Sequence, residues 1–236
     1  MLKTKNEDLI LKIVEIELKM FSEVDGAKHL NAGNIPMYRK LRQAHYSVLS
    51  DDTLEVWLKD LSKAYKNGRN IILEKEEMVT GKGEIRELES MAEKSQLNGE
   101  ASNLKPEMEV IKKRKIISRE KIVEAEIEKV SAEYEVRAIV EQENKWQDEV
   151  NLKYPLAVKR KCAPEENFKK SLYCELHTWS KESINSYFED ICLAKERKIN
   201  LTEKRFNNFY KSIGQGSLND AEEKLRKKRN KSRIIK

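Results

Sequence analysis

Apolar residues recur at three- and four-residue steps through most of this chain, and no segment alternates apolar with polar over the length of a strand. Leu9, Ile10, Ile13, Val14, Leu18, Phe21 and Val24 fall on one stripe, which predicts an amphipathic helix over 7–24. The turn-rich segment from Asp25 to Pro36 ends it. Tyr38, Leu41, Ala44 and Val48 predict a second helix over 37–48. Ser50 has the chemistry of an N-cap, Asp51 and Asp52 complement the positive end of the helix that follows, and Gly68 stops it. Asn70 caps a shorter helix over 71–79. A polar connector follows, punctuated by Gly81, Gly83 and Gly99, with Pro106 suited to a first helical turn. From Glu107 to Val150 the apolar residues are sparse but periodic, predicting a long charged helix, broken near Ser118, that would extend about 66 Å if continuous. After a loop through Tyr154, Cys162 and Pro164, helices are predicted over 165–178, over 181–196, after Asn200, and from Ser217 into the C-terminal tail.

The pattern is written twice. At one displacement Ile13, Val14, Glu15, Glu17, Lys19, Glu23 and Val24 find identical residues at Ile139, Val140, Glu141, Glu143, Lys145, Glu149 and Val150. A second block repeats Ser50, Asp60, Ala64 and Asn70 as Ser180, Asp190, Ala194 and Asn200, while Leu54, Trp57 and Leu61 keep their character as Ile184, Tyr187 and Ile191. Self-similarity in preserved order reports a supersecondary unit that buries its apolar face against its copy. The predicted fold is therefore all-α: a helical bundle built from two tandem copies of a four-helix unit, joined by a long charged helix. Residues 1–80 form the first helical repeat, 81–118 a polar helical connector, 119–223 the second repeat and 224–236 a basic tail. Only 4 prolines and 8 glycines interrupt the 236 residues, as long helices require.

The net charge of +6 belongs to an appendage. Lys224, Arg226, Lys227, Lys228, Arg229, Lys231, Arg233 and Lys236 occur without an intervening acid, so the rest of the chain is close to neutral. The tail lacks interleaved aromatic residues to stack on bases, so nucleic acid is a partner the tail allows but does not favour. The absence of a leader or a long apolar run predicts a soluble, cytoplasmic chain without a membrane partner. Cys162, Cys174 and Cys192 are an odd number without a C-x-x-C pair, which argues for reduced thiols over disulfides or structural zinc.

Chemical motifs are scarce. A di-metal site in a helical bundle needs Glu-x-x-His pairs, and the residues three before His29, His45 and His177 are Gly26, Arg42 and Cys174. No His-x-x-x-His spacing, nucleophile elbow or phosphate-cradling glycine loop occurs, so neither a metal nor a cofactor is expected. Ser50, Ser180, Asn70 and Asn200 are explained by capping, and Trp57 and Tyr187 by core contacts at helical spacing. Asp60 and Asp190 keep an acid within an otherwise apolar stripe, where a carboxylate costs desolvation unless paired. They are either a structural ion pair or part of a site.

The segment Glu175-Leu176-His177-Thr178-Trp179-Ser180, followed by Ser183, Ile184 and Tyr187, resembles a bacterial family, domain of unknown function family 4125, with its pattern E-L-x-T-Y-S-x-x-T-L-x-x-Y. Asp60-Leu61, Ala64, Gly68-Arg69-Asn70 and Glu74-Lys75 are similar to D-L-x-x-A-x-x-x-G-R-N-L-x-x-E-K in the same family, and Tyr154-Pro155 and the region of Trp146 also fit. The resemblance covers most of residues 10–210. The chain departs from it in the first loop, which lacks a Cys-Gln pair, and at Glu76, where an aromatic is usual. The resemblance implies no activity of its own; some relatives look as though a nucleotidyltransferase-like domain precedes the helical region, which would make this part an accessory or substrate-holding domain.

Two functions follow. The first is a binding or adaptor module without catalytic activity, with a protein or small molecule as partner and with self-association through the long middle helix. The second is a small-molecule-binding enzyme or sensor whose pocket lies between the two repeats and uses Arg42, Asp60, Arg69, Glu74, Glu175 and Asp190. Trp57, Asn70, Trp179, Tyr187 and Asn200 complete the candidate binding residues. A buried cluster of the charged side chains around a cavity favours the second reading, and a solid apolar interface favours the first.

Overall fold

A computed structural model describes residues 4–23, 34–81, 108–158 and 165–234, and every described element is helical. The first helix, α1 (Lys5–Ser22), begins two residues before its apolar stripe demands. Thr4 and Glu7 form a capping box, in which the Thr4 side chain accepts from the Glu7 N–H and the Glu7 side chain accepts from the Thr4 N–H. The second, α2 (Asn34–Tyr46), starts earlier than expected because Pro36 falls in its first turn, where the missing N–H costs no helix bond. Ser50 and Asn70 cap α3 (Asp51–Lys66) and α4 (Ile71–Thr80) as the sequence predicts. The long helix α5 (Met108–Lys153) runs without a break through Ser118. Pro106 and the connector from 82 to 107 lie outside the described residues, as do Cys162 and most of the first loop.

The remaining helices are α6 (Glu165–Leu176), α7 (Lys181–Glu196), α8 (Leu201–Ser212) and α9 (Leu218–Ile234). Expected to reach 178, α6 stops at Leu176 because the Thr178 hydroxyl donates to the Glu175 carbonyl and frees the chain for Ser180 to cap α7. After α3 the turn uses Gly68 at φ 73°, and the corresponding turn after α7 places Lys198 at φ 56°. Only the second carries the steric cost of a side chain in the left-handed region.

Within the described residues α1 packs on α3, α5 on α7, and α3 on α7 across the middle of the molecule. On the flanks α2 packs on α8 and α4 on α6. The main core gathers Ile13, Val14 and Met20 from α1, Leu54, Trp57 and Leu61 from α3, Ile139 and Val140 from α5, and Ile184, Tyr187 and Ile191 from α7. A smaller cluster of Val150, Tyr154, Val158 and Leu218 seats the start of α9 on the turn after α5. There Glu222 accepts from the N–H groups of Leu156 and Ala157 at 2.9 and 2.8 Å. Beyond it the described side chains of α9, which include most of the basic tail, are exposed.

Candidate functional site

Glu17 stands on the buried stripe of α1 between Ile13 and Met20 and is 2% exposed. A carboxylate there needs partners, and α2 supplies them one turn apart. The Arg42 guanidinium donates to both Glu17 oxygens, Nε to Oε2 at 3.0 Å and Nη2 to Oε1 at 2.6 Å. The Tyr46 hydroxyl donates to Glu17 Oε1 at 2.5 Å and accepts from Trp57 Nε1 at 3.1 Å. From α6, Glu175 Oε1 accepts from Arg42 Nη2 at 3.0 Å, and its Oε2 accepts from Lys75 Nζ of α4 at 2.5 Å. Four helices thus meet in one network of alternating charge, Glu17–Arg42–Glu175–Lys75.

Its electrostatics are those of a partly dry site. Burial raises the Glu175 carboxyl, but Arg42 and Lys75 overcome that and hold it well below the usual carboxylate range. Burial works against the Arg42 charge, yet Glu17 and Glu175 raise its pKa well above normal. Burial also pushes the phenols of Tyr38 and Tyr46 up, so both stay protonated at neutral pH. His45, the neighbour of Tyr46, is driven well below its usual range by burial and then by Arg205 and Arg42.

The network forms one wall of a cavity of about 200 Å³. The other walls are Phe21 and Tyr38, stacked at 5.0 Å between ring centroids, and Trp57 and Trp179, stacked at 4.2 Å, with Ile71, Ile72, Glu76 and Thr178. A second cavity, of about 360 Å³, shares the tryptophan pair and is edged by Asp60, Lys63, Arg69, His177 and Ser180. Trp179 Nε1 is buried and has no acceptor among the described residues.

Glu143 repeats the arrangement of Glu17 in the second half of the chain. Glu143 of α5, fully buried, accepts from Tyr187 at 2.6 Å, Thr202 at 2.9 Å and Arg205 Nη1 at 2.7 Å. The Arg205 Nη2 group also donates to the Tyr187 hydroxyl at 2.8 Å. Glu17 and Glu143 therefore each take one tyrosine and one arginine, recruited in the first case from α2 and in the second from α7 and α8.

The candidates named from the sequence separate into four groups. Arg42, Trp57, Glu175 and Trp179 converge on the first cavity, and Tyr187 reaches it only through its ring contact with Trp179 at 5.7 Å. Asn70 and Asn200 cap helices and tie them to distant backbone, Asn70 Nδ2 donating to the Met20 carbonyl at 2.7 Å and Asn200 Nδ2 to the Trp146 carbonyl at 3.1 Å. Arg69 and Glu74 form a largely exposed pair at 2.6 Å, with Arg69 at the edge of the second cavity.

Asp60 and Asp190 form no ion pair among the described residues and are satisfied instead by hydrogen bonds at the starts of helices, with Asp60 also at the edge of the second cavity. Asp60 Oδ2 accepts from the Ser180 N–H at 3.3 Å and the Ser183 hydroxyl at 2.6 Å, and Asp190 Oδ2 accepts from the Ser50 N–H at 3.0 Å. Each carboxylate caps the start of the opposite helix, α3 serving α7 and α7 serving α3, and neither is ion-paired among the described residues. Asp190→Ala is expected to lower stability by about 1 kcal/mol in urea unfolding, while Asp190→Asn, which keeps an acceptor, should cost less. Equal losses in both variants would contradict the capping role.

Sequence reasoning missed Glu17 and Glu143, although both stood among the identical repeated positions. Like Asp60 and Asp190 they keep an acid within an apolar stripe, and they are the more deeply buried.

Among the described residues no group of three or more His, Cys, Asp or Glu is placed to hold a metal ion, and no helix is long and apolar enough to cross a membrane. No curated protein and no solved structure matches the chain. The model of one family, described as protein of unknown function (DUF4125), matches residues 7–223, and the chain belongs to that family.

Proposed function

We propose that the chain is a binding module built from two copies of one four-helix unit, and that it holds a small molecule in the cleft between α1, α2, α4 and α6. The copies are supported by paired details: Asn70 reaches the Met20 carbonyl as Asn200 reaches the Trp146 carbonyl, and Ser50 and Ser180 are capped across α3 and α7 by Asp190 and Asp60. The flank contacts pair in the same way, α2 with α8 and α4 with α6.

The observation that carries the ligand is the buried ion network beside the aromatic cavity. A buried ion pair contributes little net stability compared with well-packed apolar residues of the same volume, so the fold has no need of four charges there. Charges on one wall and aromatic rings on the others are what orient and desolvate a small molecule. Chemistry is not part of the reading: Glu175 is held ionised and Tyr38 protonated, so neither is poised to exchange a proton near neutral pH.

A metabolite screen by thermal shift tests this on wild type and on Ile72→Trp, which fills the cavity while leaving all four charged residues in the sequence. Compounds that bind only the folded protein raise its melting temperature by mass action. The expected hits stabilise wild type and not Ile72→Trp; hits that stabilise both equally would remove the cleft from consideration.

A further inference from the structure

We infer that the ligand of this cleft is a neutral, planar heterocycle presenting carbonyl-type acceptors, of the lactam, cyclic-imide or ring-amide class. The inference rests on the reading of the cleft as a small-molecule site and adds the chemistry of the occupant.

Charge comes first. Arg42 and Lys75 are balanced by Glu17 and Glu175, and each of these four groups is bonded within the network. Exposed Glu76 adds a negative charge at the rim. An anionic ligand would bring an uncompensated charge into a site with no spare cation among the described residues. Inside the cleft a cationic ligand would have to compete with Arg42 and Lys75 for Glu17 and Glu175, already engaged at 2.5 to 3.0 Å, and only Glu76 at the solvated rim would be open to it.

Along the wall built by the network and Tyr38, the groups left without a partner among the described residues are donors. Both oxygens of Glu17 and both of Glu175 accept bonds, whereas Arg42 Nη1 and the Tyr38 hydroxyl make none among the described residues. Lys75 Nζ makes one bond out of three available. A ligand that satisfies this wall must bring acceptors, and carbonyl oxygens do so without bringing charge.

Shape follows from the other walls. Phe21 and Tyr38 on one side and Trp57 and Trp179 on another present aromatic carbon to the same cavity of about 200 Å³. A single flat ring or a fused pair can stack there with its edge toward Arg42 and Tyr38.

Calorimetric titration, with tryptophan fluorescence as a second signal, tests the inference with five probes: uracil and nicotinamide as neutral planar carbonyl compounds, benzoate as an anion, 2-phenylethylamine as a cation and phenylalanine as a zwitterion. The expected result is saturable binding of uracil or nicotinamide, abolished by Ile72→Trp and weakened about three- to ten-fold by Tyr38→Phe, which keeps the ring and deletes one donor. Binding of benzoate, 2-phenylethylamine or phenylalanine in preference to both neutral probes, blocked by Ile72→Trp, would overturn the ligand class and leave the cleft a binding site. Neutral probes that bind equally well to Tyr38→Phe and Ile72→Trp would overturn the assignment to this wall. Silence from all five overturns the ligand class, and silence from the metabolite screen as well removes the site.

Discussion

Arg42→Met is expected to destabilise the protein by about 3–5 kcal/mol, because it strands Glu17, 2% exposed, in the core without its counter-charge. For a chain of this length that corresponds to a fall in melting temperature on the order of 10 °C. The loss is large because the arginine serves two carboxylates at once, Glu17 in two-pronged fashion and Glu175 through the same Nη2, and also donates to the Tyr46 hydroxyl at 2.6 Å. If the stranded charge is the cause, the double variant Glu17→Leu/Arg42→Met should recover most of the loss, since apolar replacements of a buried pair are often neutral or better. Urea unfolding of the two single variants and the double variant measures the coupling directly. Additive losses would show that Arg42 acts by packing alone. The stable double variant is also the useful reagent for the cleft, where it should bind no ligand although it folds.

The local code of this chain was legible because capping chemistry is written within four residues. Ser50, Asn70, Ser180 and Asn200 announce their helices by side-chain oxygens that accept from the first-turn N–H groups, and no knowledge of the tertiary fold is needed to see it. The start of α1 carried an equally local signal in Thr4 and Glu7, which the apolar stripe overshadowed. What a helix buries beyond its own stripe is a different matter. Glu17 and Glu143 stand on apolar stripes, but nothing local says that Arg42 and Tyr46 of α2, or Tyr187 of α7 and Arg205 of α8, are brought against them, because the rotation of one helix about another is not encoded in either helix alone. The same limit hides the partners of Asp60 and Asp190. Their partners are backbone N–H groups at Ser180 and Ser50, and a backbone donor leaves no mark in a sequence.

His45 makes the fold sensitive to mild acid. Its ring is pushed well below the usual histidine range by burial, then by the Arg205 and Arg42 charges, with Lys75 acting in the same direction and Glu175 against them. In the unfolded chain the same imidazole takes up a proton near pH 6.5. Below that pH the unfolded state therefore holds one more proton than the native state, and stability must fall as pH falls until the native imidazole is itself protonated. The expected slope is about 1.4 kcal/mol per pH unit, starting near pH 6.5. Glu175 adds a second loss at lower pH: its native pKa is depressed, so its contribution is present above the unfolded carboxylate value and disappears as pH falls through the native one. Two limbs with different onsets should appear when unfolding free energy is measured by urea titration between pH 8 and pH 4. His45→Gln, which cannot charge, should flatten the first limb and leave the second in place. A variant that retains the full loss between pH 6.5 and pH 5 would show that the acid sensitivity arises elsewhere than in this histidine between the two arginines.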